Sequence, residues 1–188
     1  MTVMILGLVI FLGAHSVRIF ADDWRSAQIQ RLGLLPWKAL YSIVSLIGLV
    51  VMIWGFGQTR LDPTWIWQPP VGLRHLVSLL MIPAFILLVA AYVPGNHLKA
   101  RLGHPMILGV KLWAFAHLLA NGRLGDIVLF GAFLLWAAFD FRAARRRPQA
   151  SAAEPSWIGT TATLVIGLAA YAVFAFYLHA PLIGVPVM

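Results

Sequence analysis

Long apolar runs, separated by short polar or Gly- and Pro-rich segments, dominate the pattern of this chain. A transmembrane helix needs about 20 mostly apolar residues, and six runs come close to that length. The predicted spans are Val3–Phe20, Trp37–Phe56, Val71–Val93, Pro105–Ala120, Gly125–Phe141 and Trp157–His179. The pattern therefore predicts an all-α fold, a polytopic transmembrane helical bundle of about six spans that forms a single domain over residues 1–188.

Turn signals lie between these runs. Gln58–Pro70 contains Asp62-Pro63 and Pro69-Pro70, and Pro94-Gly95-Asn96 follows the third run. Pro105 suits the first turn of a helix, where a missing N–H costs nothing. The fourth span is short, so we expect it to be packed inside the bundle or to thin the bilayer slightly. The Arg-, Ala- and Pro-rich segment Arg145–Pro155 is predicted to be a mobile, solvated loop.

Composition places the chain in the membrane. Hydrophobic residues make up 61% and charged residues 11% of the 188 residues, with a mean hydropathy of +0.87. Soluble domains have about 45–50% apolar and about 25% charged residues. The net charge of +8 does not indicate nucleic acid, because the basic residues lie at the ends of apolar runs. Membrane lipid is the expected partner. The absence of cysteine excludes disulfides, iron–sulfur clusters and thiolate-held haem.

The distribution of basic residues predicts the orientation. Three loops that would share one side carry most of them, namely Arg18, Arg25, Arg31, Lys38, Lys99, Arg101, Arg142, Arg145, Arg146 and Arg147. The opposite side holds Arg60, Arg74 and Arg123. By the positive-inside rule, we expect both termini to face away from the cytoplasm.

Two histidines fall inside predicted spans, His15 in the first and His117 in the fourth. Intramembrane ionisable groups are functional candidates because a polar ring in hydrocarbon costs free energy unless something binds it. His15 lies roughly 20 Å from the outer boundary and His117 roughly 15 Å from the inner one, at a rise of 1.5 Å per residue. Both rings are thus predicted near mid-membrane, where they could share a metal or haem iron. A histidine that only hydrogen-bonds a neighbouring carbonyl is the alternative for each.

Haem is favoured over a lone zinc ion, because few acidic residues are available at that depth to complete a four-ligand shell. Arg18, Arg101 and Lys111 could pair with haem propionates, although for each one alone snorkelling and topology are the better explanation.

Further residues flank the fourth span. Trp113 and Asn121 lie four residues before and after His117, on the same helix face, and could contact a ligand there or merely pack. His104 is predicted at the cytoplasmic membrane edge, where it could contact a substrate or a lipid head group; a solvated interfacial histidine is the equal alternative.

The run LGHPMILGVKLWAFAHLLANG at Leu102–Gly122, with GAHSVRIFADDWR at Gly13–Arg25 and FYLHAPLIGVP at Phe176–Pro186, resembles the NnrU family of bacterial integral membrane proteins. The resemblance covers essentially the whole chain. It implies an inner-membrane protein associated with denitrification. It also implies distant kinship with 15-cis-zeta-carotene isomerase, a membrane enzyme that uses haem b with two histidine ligands.

Carried over to this chain, the resemblance implies that His15 and His117 are the axial ligands of haem b. One departure is Gly103, where related sequences usually have an arginine before the His-Pro pair; here Arg101 lies two residues earlier.

The leading hypothesis is a haem-b protein that acts in nitrogen-oxide respiration or in cis–trans isomerisation of a lipophilic polyene substrate. No catalytic residue is assigned. The alternative is a non-enzymatic membrane accessory protein without a cofactor. A third interpretation, an isoprenylcysteine-type membrane methyltransferase, rests on the His-Pro-x₃-Gly pattern at His104–Gly109 alone. A transporter is least supported, because no pair of broken helices occurs in matching halves.

Overall fold

The computed structural model describes residues 1–147, 154–185 and 187, and these are almost entirely helical. The helices are α1 (Thr2–Phe20), α2 (Asp22–Leu32), α3 (Leu34–Thr59), α4 (Val71–Ala90), α5 (His97–Leu102), α6 (Pro105–Ala120), α7 (Leu124–Arg145) and α8 (Trp157–Val173), which continues through a π-helical turn (Phe174–Leu178) into α9 (His179–Ile183). Within these ranges the extended pairing is a single bridge between Trp65 and Arg123. Most of the predicted loop Arg145–Pro155, residues 148–153, lies outside the described residues.

The prediction of an all-helical membrane bundle is confirmed. Five helices are long and apolar enough to cross a membrane: Thr2–Phe20, Leu34–Thr59, Val71–Ala90, Leu124–Arg145 and Trp157–Ile183. The fourth predicted span coincides with α6, whose 16 residues reach about 24 Å, short of the roughly 30 Å hydrocarbon core. The third prediction was too long at its end, since α4 stops at Ala90.

Two short helices lie in segments that the hydropathy pattern left as loops. α2 is polar but has Asp22 and Asp23 in its first turn and Arg31 in its last, charges that complement the helix dipole. α5 begins at the Asn96 side chain, which accepts a hydrogen bond of 2.7 Å from the backbone N–H of Lys99. Neither helix has the apolar run by which the spans were recognised.

The spanning helices follow one another in space in an order different from the sequence. α3 packs on α1, α1 on α7, α7 on α6, α6 on α4, and α4 on α8. Among the described residues, α1 and α6 make no direct backbone contact, because α7 lies between them. The candidate histidines therefore lie on two helices that both pack against α7.

Ring contacts establish the direction of each helix beside α7. Between α1 and α7 the residue numbers of contacting rings increase together in both helices: Phe11–Phe133, His15–Trp136 and Phe20–Phe139. Between α6 and α7 they run in opposite senses: His104–Phe141, Trp113–Phe133 and His117–Phe130. α1 and α7 are therefore parallel, and α6 is antiparallel to both.

Glycines allow α1 and α3 to pack closely. A Cβ at Gly7 would collide with the backbone nitrogen of Met52, and one at Gly48 would lie 2.7 Å from the backbone nitrogen of Phe11. Gly55 has the same relation to the start of α1. In lipid, where helices gain little from the hydrophobic effect, such small residues let backbones approach and gain dispersion contacts.

Replacing Gly7 with alanine should force α1 and α3 apart. We expect Gly7→Ala to lower the free energy of unfolding by about 2 kcal/mol, the usual cost of overpacking a tight contact. The measurement is SDS-induced unfolding of the purified protein in mixed micelles. Gly13→Ala is the matched control on the same helix, since a Cβ there meets nothing within 4 Å. Equal stability of the two variants would refute the close-contact assignment.

Candidate cofactor site

His15 lies where α1 meets α3 and α7. Its ring centroid is 4.3 Å from that of Phe11, 5.2 Å from that of Tyr41 and 6.0 Å from that of Trp136. The side chain is half-buried. The first candidate histidine thus sits among aromatic rings contributed by three helices.

His117 lies where α6 meets α7. Its ring centroid is 4.7 Å from that of Phe130 and 5.4 Å from that of Trp113. This side chain is also half-buried. The second candidate histidine therefore has the same kind of aromatic surroundings as the first.

The two rings make the same hydrogen bond. Nδ1 of His15 lies 2.7 Å from the carbonyl oxygen of Phe11, and Nδ1 of His117 lies 2.9 Å from that of Trp113. A carbonyl only accepts, so in each pair Nδ1 must carry the proton and donate. The lone pair of each neutral ring is then on Nε2, the arrangement that metal-ligating histidines commonly have.

The hydrogen bonds also set the direction of each ring. Helical side chains lean towards the N-terminus of their own helix, and α1 and α6 run in opposite directions. His15 contacts Trp136 and His117 contacts Phe130, positions about 9 Å apart along α7 at 1.5 Å per residue. Phe133 lies between those two positions on α7.

Phe133 links the two histidine neighbourhoods. Phe11, one turn before His15, is 5.9 Å from the Phe133 ring, and Trp113, one turn before His117, is 5.3 Å from it. The imidazoles themselves do not form a contacting ring pair within the described residues; these three aromatic side chains connect them. The sequence prediction of direct proximity at one depth therefore stays a prediction.

The residues that were predicted to flank His117 do contact it. Trp113 supplies both the carbonyl acceptor and a packed ring. The Asn121 side-chain amide donates a hydrogen bond of 2.8 Å to the carbonyl oxygen of His117, which also accepts one of 3.0 Å from the backbone N–H of Asn121 at the end of α6. Whether either residue touches a cofactor is not decided by these contacts.

The donor set suits haem better than a small metal ion. Within the described residues no cluster of three or more His, Cys, Asp or Glu side chains could hold an ion, whereas haem iron needs one axial donor on each face. The aromatic rings around both histidines would provide the apolar walls that a porphyrin requires.

Two of the three predicted propionate partners lie near the Phe141 ring, and the third lies in the last turn of α1. Lys111 lies over the Phe141 ring, with Nζ 5.1 Å from the centroid. Arg101 lines a separate cleft beside the same ring. Arg18 is exposed at the end of α1, and its carbonyl accepts a hydrogen bond from Arg147. A propionate role stays a prediction for each.

His104, the predicted contact for a substrate or head group, begins α6 with its ring edge-on to Phe141, centroids 6.4 Å apart. Its Nε2 atom is buried without a hydrogen-bond partner among the described residues. An unsatisfied buried nitrogen is costly, so it marks the start of α6 as a place where polar contacts are incomplete.

Sequence reasoning missed the acidic residues beside the candidate ligands. Asp140 lies within electrostatic range of His15 and His104 and pairs with Arg147 at 3.7 Å. Asp126, 2% exposed, pairs with Arg123 at 2.7 Å near the other end of α7. An acidic residue inside an apolar run is itself a signal, and here each is partnered by an arginine within seven residues of it along the chain.

One comparison with known proteins gives a result. A family model described as NnrU protein matches residues 3–187, nearly the whole chain. No curated protein and no solved structure matches.

The hydrogen bonds predict the tautomers of the two rings. In histidine-labelled protein reconstituted in lipid, ¹⁵N solid-state NMR should find neutral His15 and His117 protonated at Nδ1, because the carbonyl partner leaves no other choice. The exposed His75 serves as the reference, and His15→Gln and His117→Gln assign the signals. Protonation at Nε2 in either ring would contradict the arrangement.

Proposed function

The chain belongs to the NnrU family, and on that premise we propose that it is an inner-membrane haem-b protein with His15 and His117 as axial ligands. The observation that carries the proposal is the matched geometry of the two rings. Each donates from Nδ1 to the carbonyl four residues earlier and keeps the Nε2 lone pair for a metal.

The surroundings of the rings support this choice of group. Phe11, Phe133 and Trp113 form a continuous apolar surface between the two histidines. Such a surface excludes water and lowers the local dielectric, and both properties tune the potential of a bound iron. The backbone acceptors hold each imidazole in one orientation, so little ordering remains to be done on binding.

A haem bound there would supply one-electron redox chemistry. The residues of the chain would bind it, orient it and keep water away. The NnrU resemblance connects such a centre with two roles, nitrogen-oxide respiration and cis–trans isomerisation of a polyene. The haem proposal includes both roles, because each depends on the same two histidines.

The proposal is tested by the visible spectrum of protein purified in detergent after expression with ample haem. We expect a Soret band with the α and β bands of a low-spin ferrous haem after reduction. His15→Ala and His117→Ala should each lose most of this absorbance, because a single axial ligand holds haem weakly.

His75→Ala is the matched control, since that histidine is exposed, and it should keep the full spectrum. A colourless parent protein would refute haem binding. That result, with both alanine variants folded and functional, would instead support an accessory protein whose histidines only stabilise helix packing. Photo-crosslinking of labelled S-adenosylmethionine near His104 would favour the methyltransferase.

A further inference from the structure

A basic cleft lies at the end of the bundle where α5, α6 and α7 meet. It has a volume of about 220 Å³ and is lined by Ala100, Arg101, Leu102, Gly103, Leu108, Phe141 and Arg145. Gly103 turns the chain between α5 and α6 with a φ of 72°, a conformation that favours glycine. This turn brings Arg101 of α5 to the same cleft as Arg145 at the end of α7.

Two cationic side chains lie over the ring of Phe141 on this side of α7. Lys111 Nζ lies 5.1 Å and the Arg145 guanidinium 5.8 Å from its centroid. Cations are attracted to the ring face, so Phe141 holds both groups beside the cleft. The ring also forms part of the apolar lining.

No carboxylate neutralises these cations within the described residues. The nearest acid along α7, Asp140, pairs with Arg147 instead. Residues 148–153, which follow α7, contain no acidic side chain. The charges of Arg101 and Arg145 are therefore available to an anionic ligand.

The size and lining of the cleft indicate which anion. Pockets that enclose a whole drug-sized ligand measure about 300–1,000 Å³, so this cleft accommodates a head group and leaves the remainder of the molecule outside. Leu102 and Leu108 add aliphatic surface next to the arginines, and Leu102 is exposed. That combination suits an amphiphile with a phosphate and hydrocarbon chains.

We propose that this cleft binds the phosphate of an anionic phospholipid head group, with Arg101 and Arg145 as the charged contacts. The bundle end with this cleft carries most of the basic residues, and basic pockets between helices on the cytoplasmic side of a membrane typically bind such head groups. The site is distinct from the histidine pair and does not depend on haem binding.

The proposal is tested by titrating the detergent-purified full-length protein with phosphatidylglycerol and following bound lipid by native mass spectrometry. Arg101→Gln and Arg145→Gln should each weaken binding about five-fold, because one basic residue near a membrane surface contributes about that factor. The double variant Arg101→Gln/Arg145→Gln should bind about 30-fold more weakly, the product of the two effects. Arg101→Lys/Arg145→Lys should retain most of the affinity. Phosphatidylcholine should bind no better to the parent than to the double glutamine variant.

Arg31→Gln/Lys38→Gln is the matched control, because it removes the same charge from exposed positions outside the cleft. It should bind phosphatidylglycerol like the parent, and circular dichroism should show equal helix content in both double variants. Unchanged affinity in Arg101→Gln/Arg145→Gln would overturn the proposal. So would equal competition by inorganic phosphate, which would assign the cleft to a free anion. Loss of haem in that variant with lipid binding intact would assign the arginines to propionates.

Discussion

The packing of α7 between α1 and α6 is the constraint on which the rest of this structure depends. Because α1 and α6 both pack on α7, their histidines lie beside the same stretch of that helix, with Phe133 between Trp136 and Phe130. On the same helix, Trp136 lies beside His15, Phe130 packs on His117 and Phe141 lines the basic cleft. Close approach of α1 to α3 through glycines then stabilises the position of His15 from the other side.

In lipid, a polar group without a hydrogen-bond partner is costly in free energy. The histidines of α1 and α6 and the acidic residues of α7 have different kinds of partner. The histidines of α1 and α6 each donate a hydrogen bond from Nδ1 to a carbonyl of their own helix. The acids of α7 each have an arginine partner. The unsatisfied buried atoms in the described residues are Ser45 Oγ, His104 Nε2 and Trp136 Nε1, and Trp136 contacts His15. Incomplete polar pairing thus occurs around the first candidate ligand and at the start of α6.

The two proposed binding regions differ in the chemistry that they offer. Around His15 and His117 the walls are aromatic and the donors are neutral nitrogens, which suits a flat apolar group that holds a metal. At the cleft the donors are guanidinium groups with aliphatic neighbours, which suits a phosphate at a membrane surface. Phe133 and Phe141, about two turns apart on α7, belong one to each region. A rigid helix therefore sets the distance between them.

Hydropathy alone determined the class of fold, the number of apolar segments and the bounds of α6, because a membrane imposes length and composition on every span. It also singled out His15, His117, Trp113 and Asn121, since helical spacing decides which residues share a face. It could not reveal α2 or α5, whose stability comes from caps and charges in polar sequence. Only the tertiary structure decided that α1 and α6 both pack on α7, that Phe133 connects the two histidine neighbourhoods, and that Arg101 and Arg145 line the same cleft. These relations join residues far apart in the chain, and they depend on which helix faces pack together, information that the period of one helix does not contain.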